Sequence, residues 1–522
     1  MFKKLLWFIF AGLMIFMVFT TAPALAAETG QLNVPINVKE SAGVDAEGFP
    51  VTAVVPLPYG KYQNVDCFRL TDAVGNTVRA QFDVLNRHYS KDNSIRHLTV
   101  NFFTNVTANG SEQFYLRDDG IGNTPGNLSI AEENDKITVN TGVIEFEVNK
   151  QNFSLIDSLR YEGQDIVVAD ALNGGILKDR FDHLQIESTM AAPKVSIEEN
   201  GPVRTVIRLE LPAQFRPAGQ YAGLTPGVDN VNVALEEGDY THTHGYCVRI
   251  YAYEGRSYLR VDFTLENSDK TVLQSWPLYF NEFSIGLKVP ATMDRIRIGT
   301  CEDSQGHFFD SNGNYLEKSD DQYAVYDQNT ATQVYISQDQ HDHYDLCQED
   351  DPQTSEDDSY AQTGPRGAGW LDRSDENHGL QMAVKDFWQT WPNALQATQD
   401  DRLVMYMFSP WAKDGYFDWD NGSVYTPTNT GLYWIDDMQH VTKTCWMNAH
   451  GAVGSTELER LNQLFQKHPV AVIPLEWYKE TAVTLDMDGM IPRSGNVSSA
   501  ATDIWFYHEA GNINSHFYHF GY

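Results

Sequence analysis

The stretch that decides the fold is Cys247-Val248-Arg249-Ile250-Tyr251-Ala252-Tyr253, the loop Glu254-Gly255-Arg256-Ser257, and Tyr258-Leu259-Arg260-Val261-Asp262-Phe263-Thr264-Leu265. Successive side chains on a strand point to opposite faces. Tyr246, Val248, Ile250 and Ala252 therefore line one face of the first strand, and Leu259, Val261, Phe263 and Leu265 line one face of the second. Arg249, Tyr251, Tyr253, Tyr258, Arg260 and Asp262 fall on the other side. This is a β-hairpin with one buried face.

The same idiom extends outward in both directions. Upstream, Val203, Thr205, Ile207, Leu209 and Leu211 alternate with Arg204, Val206, Arg208 and Glu210. From Val51 to Gly120 come short runs such as Gln81-Phe82-Asp83-Val84-Leu85 and His97-Leu98-Thr99-Val100-Asn101-Phe102, separated by turn clusters such as Gly75-Asn76 and Ala108-Asn109-Gly110. Short strands with frequent turns indicate a barrel or sandwich. The Gly/Pro/Asn/Asp-rich stretch 118–127 reads as a linker. The one convincing helix comes late. Thr456 and Glu459 fit a capping box, Leu458, Leu461, Leu464 and Phe465 form an apolar stripe, and His468-Pro469 ends it. The expected fold class is mainly β: a small barrel, a large antiparallel β-sandwich, and a short helical C-terminal segment.

Composition excludes several functions. The 522 residues carry 37 Lys+Arg against 71 Asp+Glu, a net charge of −34. A nucleic-acid binder needs a basic footprint, and a peripheral binder of anionic membranes needs Lys/Arg clusters. Neither nucleic acid nor a membrane is therefore an expected partner. With 42% hydrophobic and 12% aromatic residues the chain has ample material for packed cores. Lys3 and Lys4 precede the apolar run Leu5–Phe19, and Ala24-Leu25-Ala26 supplies a small-x-small cleavage pattern. Residues 1–26 read as a signal peptide, and the mature chain is expected to be secreted or periplasmic. The five cysteines are odd in number and include no CxxC, so a Cys-based structural zinc site is not expected.

Several ordered segments resemble one family. Val55-Pro56-Leu57-Pro58-Tyr59-Gly60, Phe68-Arg69-Leu70-Thr71-Asp72-Ala73, Val78-Arg79-Ala80-Gln81-Phe82 and Ser94-Ile95-Arg96-His97-Leu98 resemble the N-terminal RIFT barrel of rhamnogalacturonan exolyase-like (PcRGLX/YetA-like) proteins. Asn93 stands where that pattern has Gly, and His97 where it has Trp. Residues 141–148, Leu155–Leu159, Gly201–Arg204, Gly369–Asp372 and Asp386–Leu395 resemble the family's central β-sandwich. The resemblance implies a RIFT barrel over 31–120, a sandwich over 128–470 and the beginning of an α/α toroid over 471–522. An α/α toroid needs several helical hairpins, more than roughly 50 residues can build at about 1.5 Å of helix per residue. The toroid is accordingly expected to be incomplete.

The resemblance also implies β-elimination on a uronic acid of an acidic polysaccharide. That reaction needs a base to remove the C5 proton and a cationic or protonated group to neutralise the adjacent carboxylate. In so acidic a chain, arginines gathered on one face are what would admit a polyanion. If the strands bearing Arg204, Arg208, Arg249 and Arg260 share a sheet, one face presents them with Tyr251, Tyr253 and Tyr258. Arginine binds carboxylates bidentately, and tyrosine offers a ring for sugar stacking. An ordinary sheet face with its charges paired across strands is the competing reading. The expected catalytic residues are Arg249, Tyr251, His244 and Arg260. Substrate binding is expected from Arg204, Arg208, Tyr253, Tyr258, Trp388 and Trp391.

No metal site is assigned, although three places offer ligands. His242-Thr243-His244 is one, since alternate residues on a strand share a face and two imidazoles there can chelate a metal or flank a sugar, against the commoner reading of paired loop histidines with no chemistry. His341-Asp342-His343 with Asp345 and Cys347 is the second, and exposed turn composition explains it equally well. The acidic stretch 348–358 is the third and makes Ca²⁺ a possible cofactor without any EF-hand pattern. A non-catalytic polysaccharide-binding or surface-interaction protein on the same two units is the alternative function, and a hydrolase on that scaffold a third.

Overall fold

The computed structural model describes residues 32–89, 92–179, 184–212, 214–215, 242–267, 278–300, 308–310, 315–316, 328–329, 333–349, 359–411, 433–435 and 439–481. The decisive hairpin forms as Gly245–Tyr253 and Tyr258–Asn267. Gly255 takes φ 65° in its turn, a conformation that glycine adopts without a Cβ clash. The eight expected inward residues, Tyr246 to Ala252 and Leu259 to Leu265 by alternation, are all 0–1% exposed.

The hairpin lies within a nine-stranded sheet among the described residues. Its order is Lys194–Asn200, Arg204–Leu211, the two hairpin strands, Gln439–Gly451, His378–Val384, Gly367–Ser374, Arg295–Thr300 and Gln328–Asn329. A second large sheet, with Leu278–Lys288, Arg402–Phe408, Asn393–Ala397 and Gln333–Gln340 at its centre, packs against it. Between them lies one core, to which Ile207, Val248, Ile250 and Phe263 contribute from the first sheet, and Ile285, Leu287, Leu395 and Met405 from the second. The pairings are antiparallel. The chain is thus mainly β and built on a large antiparallel sandwich, as the alternation implied.

The N-terminal unit consists of two small sheets around a core of its own. Asn33–Lys39, Ser111–Arg117 and Arg69–Asp72 belong to one, and Ala46–Pro56, Ile95–Val106 and Ala80–Arg87 to the other. Val34, Val55, Phe68, Leu70 and Phe102 fill the space between them. Stretch 118–127 is tied down despite its linker composition. The Asp118 carboxylate accepts the Leu32 N–H at 2.9 Å and the Tyr62 hydroxyl at 3.0 Å, and the Asn127 N–H donates to Glu254 at 2.7 Å.

The helix runs Ser455–Gln466, but the Thr456/Glu459 capping box does not form. Gly454 is the N-cap, and Glu459 turns inward to accept the buried indole N–H of Trp370 at 2.5 Å. A buried N–H needs an acceptor more than an exposed helix end needs a cap. Beyond the helix the chain returns to the N-terminal unit. Val470–Val472 pairs with Asn33–Lys39, and in the helix Leu475–Thr481 the Trp477 indole donates to the Pro56 carbonyl at 2.7 Å. Residues 471–481, assigned from sequence to the start of a toroid, therefore pack on the first core; 482–522 lie outside the described residues. So do the signal-peptide segment and the acidic stretch 350–358.

Candidate functional site

The outer face of the nine-stranded sheet carries the arginines anticipated from sequence. Arg208 stands opposite Arg249, Arg204 opposite Tyr253, and Tyr251 opposite Arg260 in adjacent register. Tyr251 lies between two guanidinium groups, Arg204 at 5.5 Å and Arg260 at 4.9 Å from its ring centroid.

Acidic neighbours occupy much of this cationic face. Arg249 forks onto Glu198 at 2.6 and 3.0 Å, Arg208 reaches Glu210 at 2.5 Å, and Arg204 forks onto Glu199 at 2.7 and 2.8 Å while also bonding Thr52. The Arg204 pair links neighbouring strands, the Arg249 pair reaches across the strand between its two, and the Arg208 pair lies within one strand. Tyr253 and Tyr258, expected as sugar platforms, are only 5% and 6% exposed. They belong to a third core, where Phe49 from the N-terminal unit and Phe465 from the helix cover the middle of the sheet. Their rings are spent on packing against Trp446, Phe49 and Phe465, so no face is left for a sugar.

His244 lies elsewhere, between the two large sheets. It is fully buried, with Nε2 3.2 Å from the equally buried Glu187 carboxylate and its ring against Phe283. Desolvation raises the Glu187 carboxyl above its usual range, against the pull of His244. A group sealed in the core cannot reach a polymer. Trp388 stacks under the Arg366 guanidinium at 4.1 Å, and Trp391 lies half-buried in the same turn.

Where these elements meet, a cleft of about 250 Å³ opens, lined by Arg260, Lys385, Asp386, Thr390, Thr442, Lys443, Thr444, Trp446 and His468. Its origin is topological. Strand His378–Val384 stops opposite Cys445, so the beginning of Gln439–Gly451 has lost a neighbour on that side. The turn that follows, Lys385 to Pro392, folds over the gap. Gln466, at the end of the helix, pins this turn by accepting the Asp386 N–H and donating to the Val384 carbonyl, both at 2.8 Å. Two residues later His468 reaches the cleft.

The lining is rich in donors. Arg260 is oriented by a bidentate pair to Asp262 at 2.9 and 2.8 Å, which also accepts the Thr444 hydroxyl at 2.7 Å. Lys385 pairs with Asp386. Trp446 is clamped flat against Phe465, centroids 4.7 Å apart and planes within 6°, and its buried indole N–H meets no protein acceptor. The buried Nδ1 of His468 likewise has no protein partner. Burial, followed by the charges of Arg260 and Lys385, lowers the His468 pKa below its ordinary value, so the ring is neutral at pH 7. Lys443 sits at a core-facing position and donates to the Thr390 carbonyl; burial pulls its ammonium down to about 7, against the opposing charge of Asp386.

Of the residues expected from sequence to catalyse or bind substrate, Arg260 alone lines this cleft, with Tyr251 and Arg204 extending from it in a row; Asp386, noted from sequence as an acidic candidate without a partner, lines it too. Lys385, Lys443, Trp446 and His468 were missed. One signal existed: a lysine among Val441, Cys445 and Met447 on the apolar side of a strand.

Comparison with known proteins agrees with part of this description. Residues 128–218 match the family model of the PcRGLX-like protein central beta sandwich domain. That match supports the family resemblance over the opening of the sandwich. No curated protein matches the chain by sequence. Among solved structures, an alpha-mannosidase from Enterococcus faecalis V583 is 14% identical, covering 85% of this chain and 46% of its own, with a TM-score of 0.44. A putative aldose 1-epimerase from Escherichia coli K12 is 8% identical, covering 62% of this chain and 99% of its own, with a TM-score of 0.30. The chain spans about half the length of the mannosidase.

Proposed function

We propose that this is an exported carbohydrate-active protein that takes an acidic sugar residue into the cleft at Arg260 and cleaves the glycan there by β-elimination. The observation that carries the reading is the donor-rich lining: Arg260, Lys385 and Lys443 meet the side chains of Thr390, Thr442 and Thr444 around one cleft in a chain of net charge −34. A uronate offers both the carboxylate for the cations and the hydroxyls for the threonines. The match over 128–218 supports a carbohydrate-active β-sandwich at the coarser level.

In this reading the neutral His468 ring accepts the C5 proton while Arg260 and Lys385 hold the neighbouring carboxylate. The C4–O bond then breaks, its electron pair leaving with the oxygen, which takes a proton from water as the C4=C5 double bond forms. The test follows ultraviolet absorbance of the 4,5-unsaturated uronate on a panel of uronate-containing polysaccharides. Turnover by the native chain that falls about 10²–10⁴-fold in His468→Gln is expected, the range typical of losing a general base. Full activity in His468→Gln would overturn this assignment. Binding without product by the native chain would favour the second reading, a non-catalytic polysaccharide-binding protein, for which the acid pairing of Arg204, Arg208 and Arg249, and equally of Arg260 and Lys385, speaks.

A further inference from the structure

The hairpin of Gln333–Gln340 and His343–Glu349 lies in the sheet opposite the cleft's own and carries a separate cluster. Its register runs Gln338 to Tyr344 and then Gln340 to His343, leaving Asp339 as the extra residue of a β-bulge. A bulge re-aims a side chain. Here the Asp339 carboxylate lies 2.7 Å from Nδ1 of His343. Asp345, two residues further along the same strand, shares the face of His343 and lies 3.6 Å from Nε2. Thr363 stands opposite Asp345 on the next strand, its hydroxyl 3.2 Å from the same nitrogen.

One ligand atom from each of Asp339, His343 and Asp345 lies within 4.8 Å of the others, and all three residues are half-buried. The ligands of one tetrahedral ion stand about 3–3.5 Å apart at ordinary bond lengths, so side-chain rotation must close the set, because Asp339 meets Nδ1 and Asp345 approaches Nε2 of the same ring. Cys347, the remaining ligand type in this motif, is fully buried and outside the group.

We propose that Asp339, His343 and Asp345 form a binding site for one divalent transition-metal ion of the zinc class. The imidazole sets the class, because Ca²⁺ takes six to eight oxygens whereas one nitrogen with two carboxylates suits zinc and leaves a position open. The site stands apart from the Arg260 cleft and does not rest on the proposed reaction. Metal binding must displace the proton from His343, so affinity falls as pH drops.

The test titrates the chelator-stripped full chain with Zn²⁺ alone, by calorimetry at neutral and mildly acidic pH. One saturable equivalent is expected at neutral pH, weakened at least tenfold in His343→Gln and in Asp345→Asn, and weakened on acidification. Co²⁺ in place of Zn²⁺ is expected to give visible d–d bands that His343→Gln abolishes. Both variants sit at partly exposed strand positions, and circular dichroism checks their fold. Absence of a saturable equivalent in the native chain, or one that both variants retain at unchanged affinity, would overturn the assignment.

Discussion

Lys443 shows how much a single side chain can set. Its strand neighbours on the same face, Val441, Cys445 and Met447, lie in the sandwich core, yet it carries an amine. Burial holds that amine near a pKa of about 7, whereas an unfolded lysine titrates at about 10.4. Between those values the unfolded chain binds the extra proton, so this residue's cost to stability grows as pH falls from about 10 to 7 and is constant below. Lys443→Met is expected to stabilise the chain by about 1–3 kcal/mol at pH 7. The gain is expected to vanish toward pH 10, as read from urea unfolding across that range. The Thr390 carbonyl stays satisfied in the variant, because Asn393 also donates to it at 3.0 Å. A variant destabilised at all pH values would show that the amine is held by its bonds rather than tolerated despite its burial.

At the scale of elements, buried charge joins strands that packing alone would leave free to slide. Asp372, fully buried, accepts from Arg297 at 2.8 Å and meets His450 at 2.7 Å, linking three strands of the nine-stranded sheet. Burial alone would raise its carboxyl, but His450 and Arg297 outweigh that effect and hold it below the usual range. A depressed carboxyl contributes stability that is complete above its unfolded pKa of about 3.9 and lost as pH falls through the folded value. Asp372→Asn is expected to cost about 3–5 kcal/mol at pH 7, the typical cost of leaving buried charges unpaired. The gap is expected to narrow below about pH 4, and chemical denaturation at pH 7 and pH 3 measures both. The helix Ser455–Gln466 acts at the same scale: its apolar stripe was legible, but Glu459 bonds Trp370 because only the folded sheet brings that indole to it.

The whole molecule is held together where its two units touch. Phe49 of the N-terminal unit inserts against Tyr258, Trp446 and Phe465, while the Gln81 amide oxygen accepts the Val203 and Arg204 N–H groups at 3.2 and 2.9 Å. The strand after residue 469 then extends the first unit's sheet and the helix that follows packs on its core, so residues from both ends of the described chain close one core. Units coupled this tightly unfold together. A single calorimetric transition is expected for the native chain. Phe49→Ala, which removes about 3–5 kcal/mol of packing, is expected to split it into two. A single transition in the variant as well would mean that the polar contacts alone suffice. Phe49 also braces the ring of Trp446, so this interface supports one wall of the cleft.

Legible in the residues alone was what local periodicity governs: the hairpin strands and their buried face, the alternating strand before them and the late helix, because alternation of apolar and polar residues needs no partner to be read. It also placed Arg249, Tyr251, Tyr253, Tyr258 and Arg260 on the polar side of the hairpin, while the hairpin's register and the sheet it joins came from the fold. What lay beyond the sequence was which of them would stay accessible. Tyr253 and Tyr258 alternate with the same regularity as Arg260, yet Phe49, some two hundred residues away, covers Tyr258, and Trp446 covers Tyr253, while Arg260 stays partly exposed. Lys385, Lys443, Trp446 and His468 are likewise distant from Arg260 along the chain. They meet it because one strand stops early and a turn, pinned by Gln466, closes over the gap. Such a site is assembled by long-range contacts, and only the tertiary structure contains them.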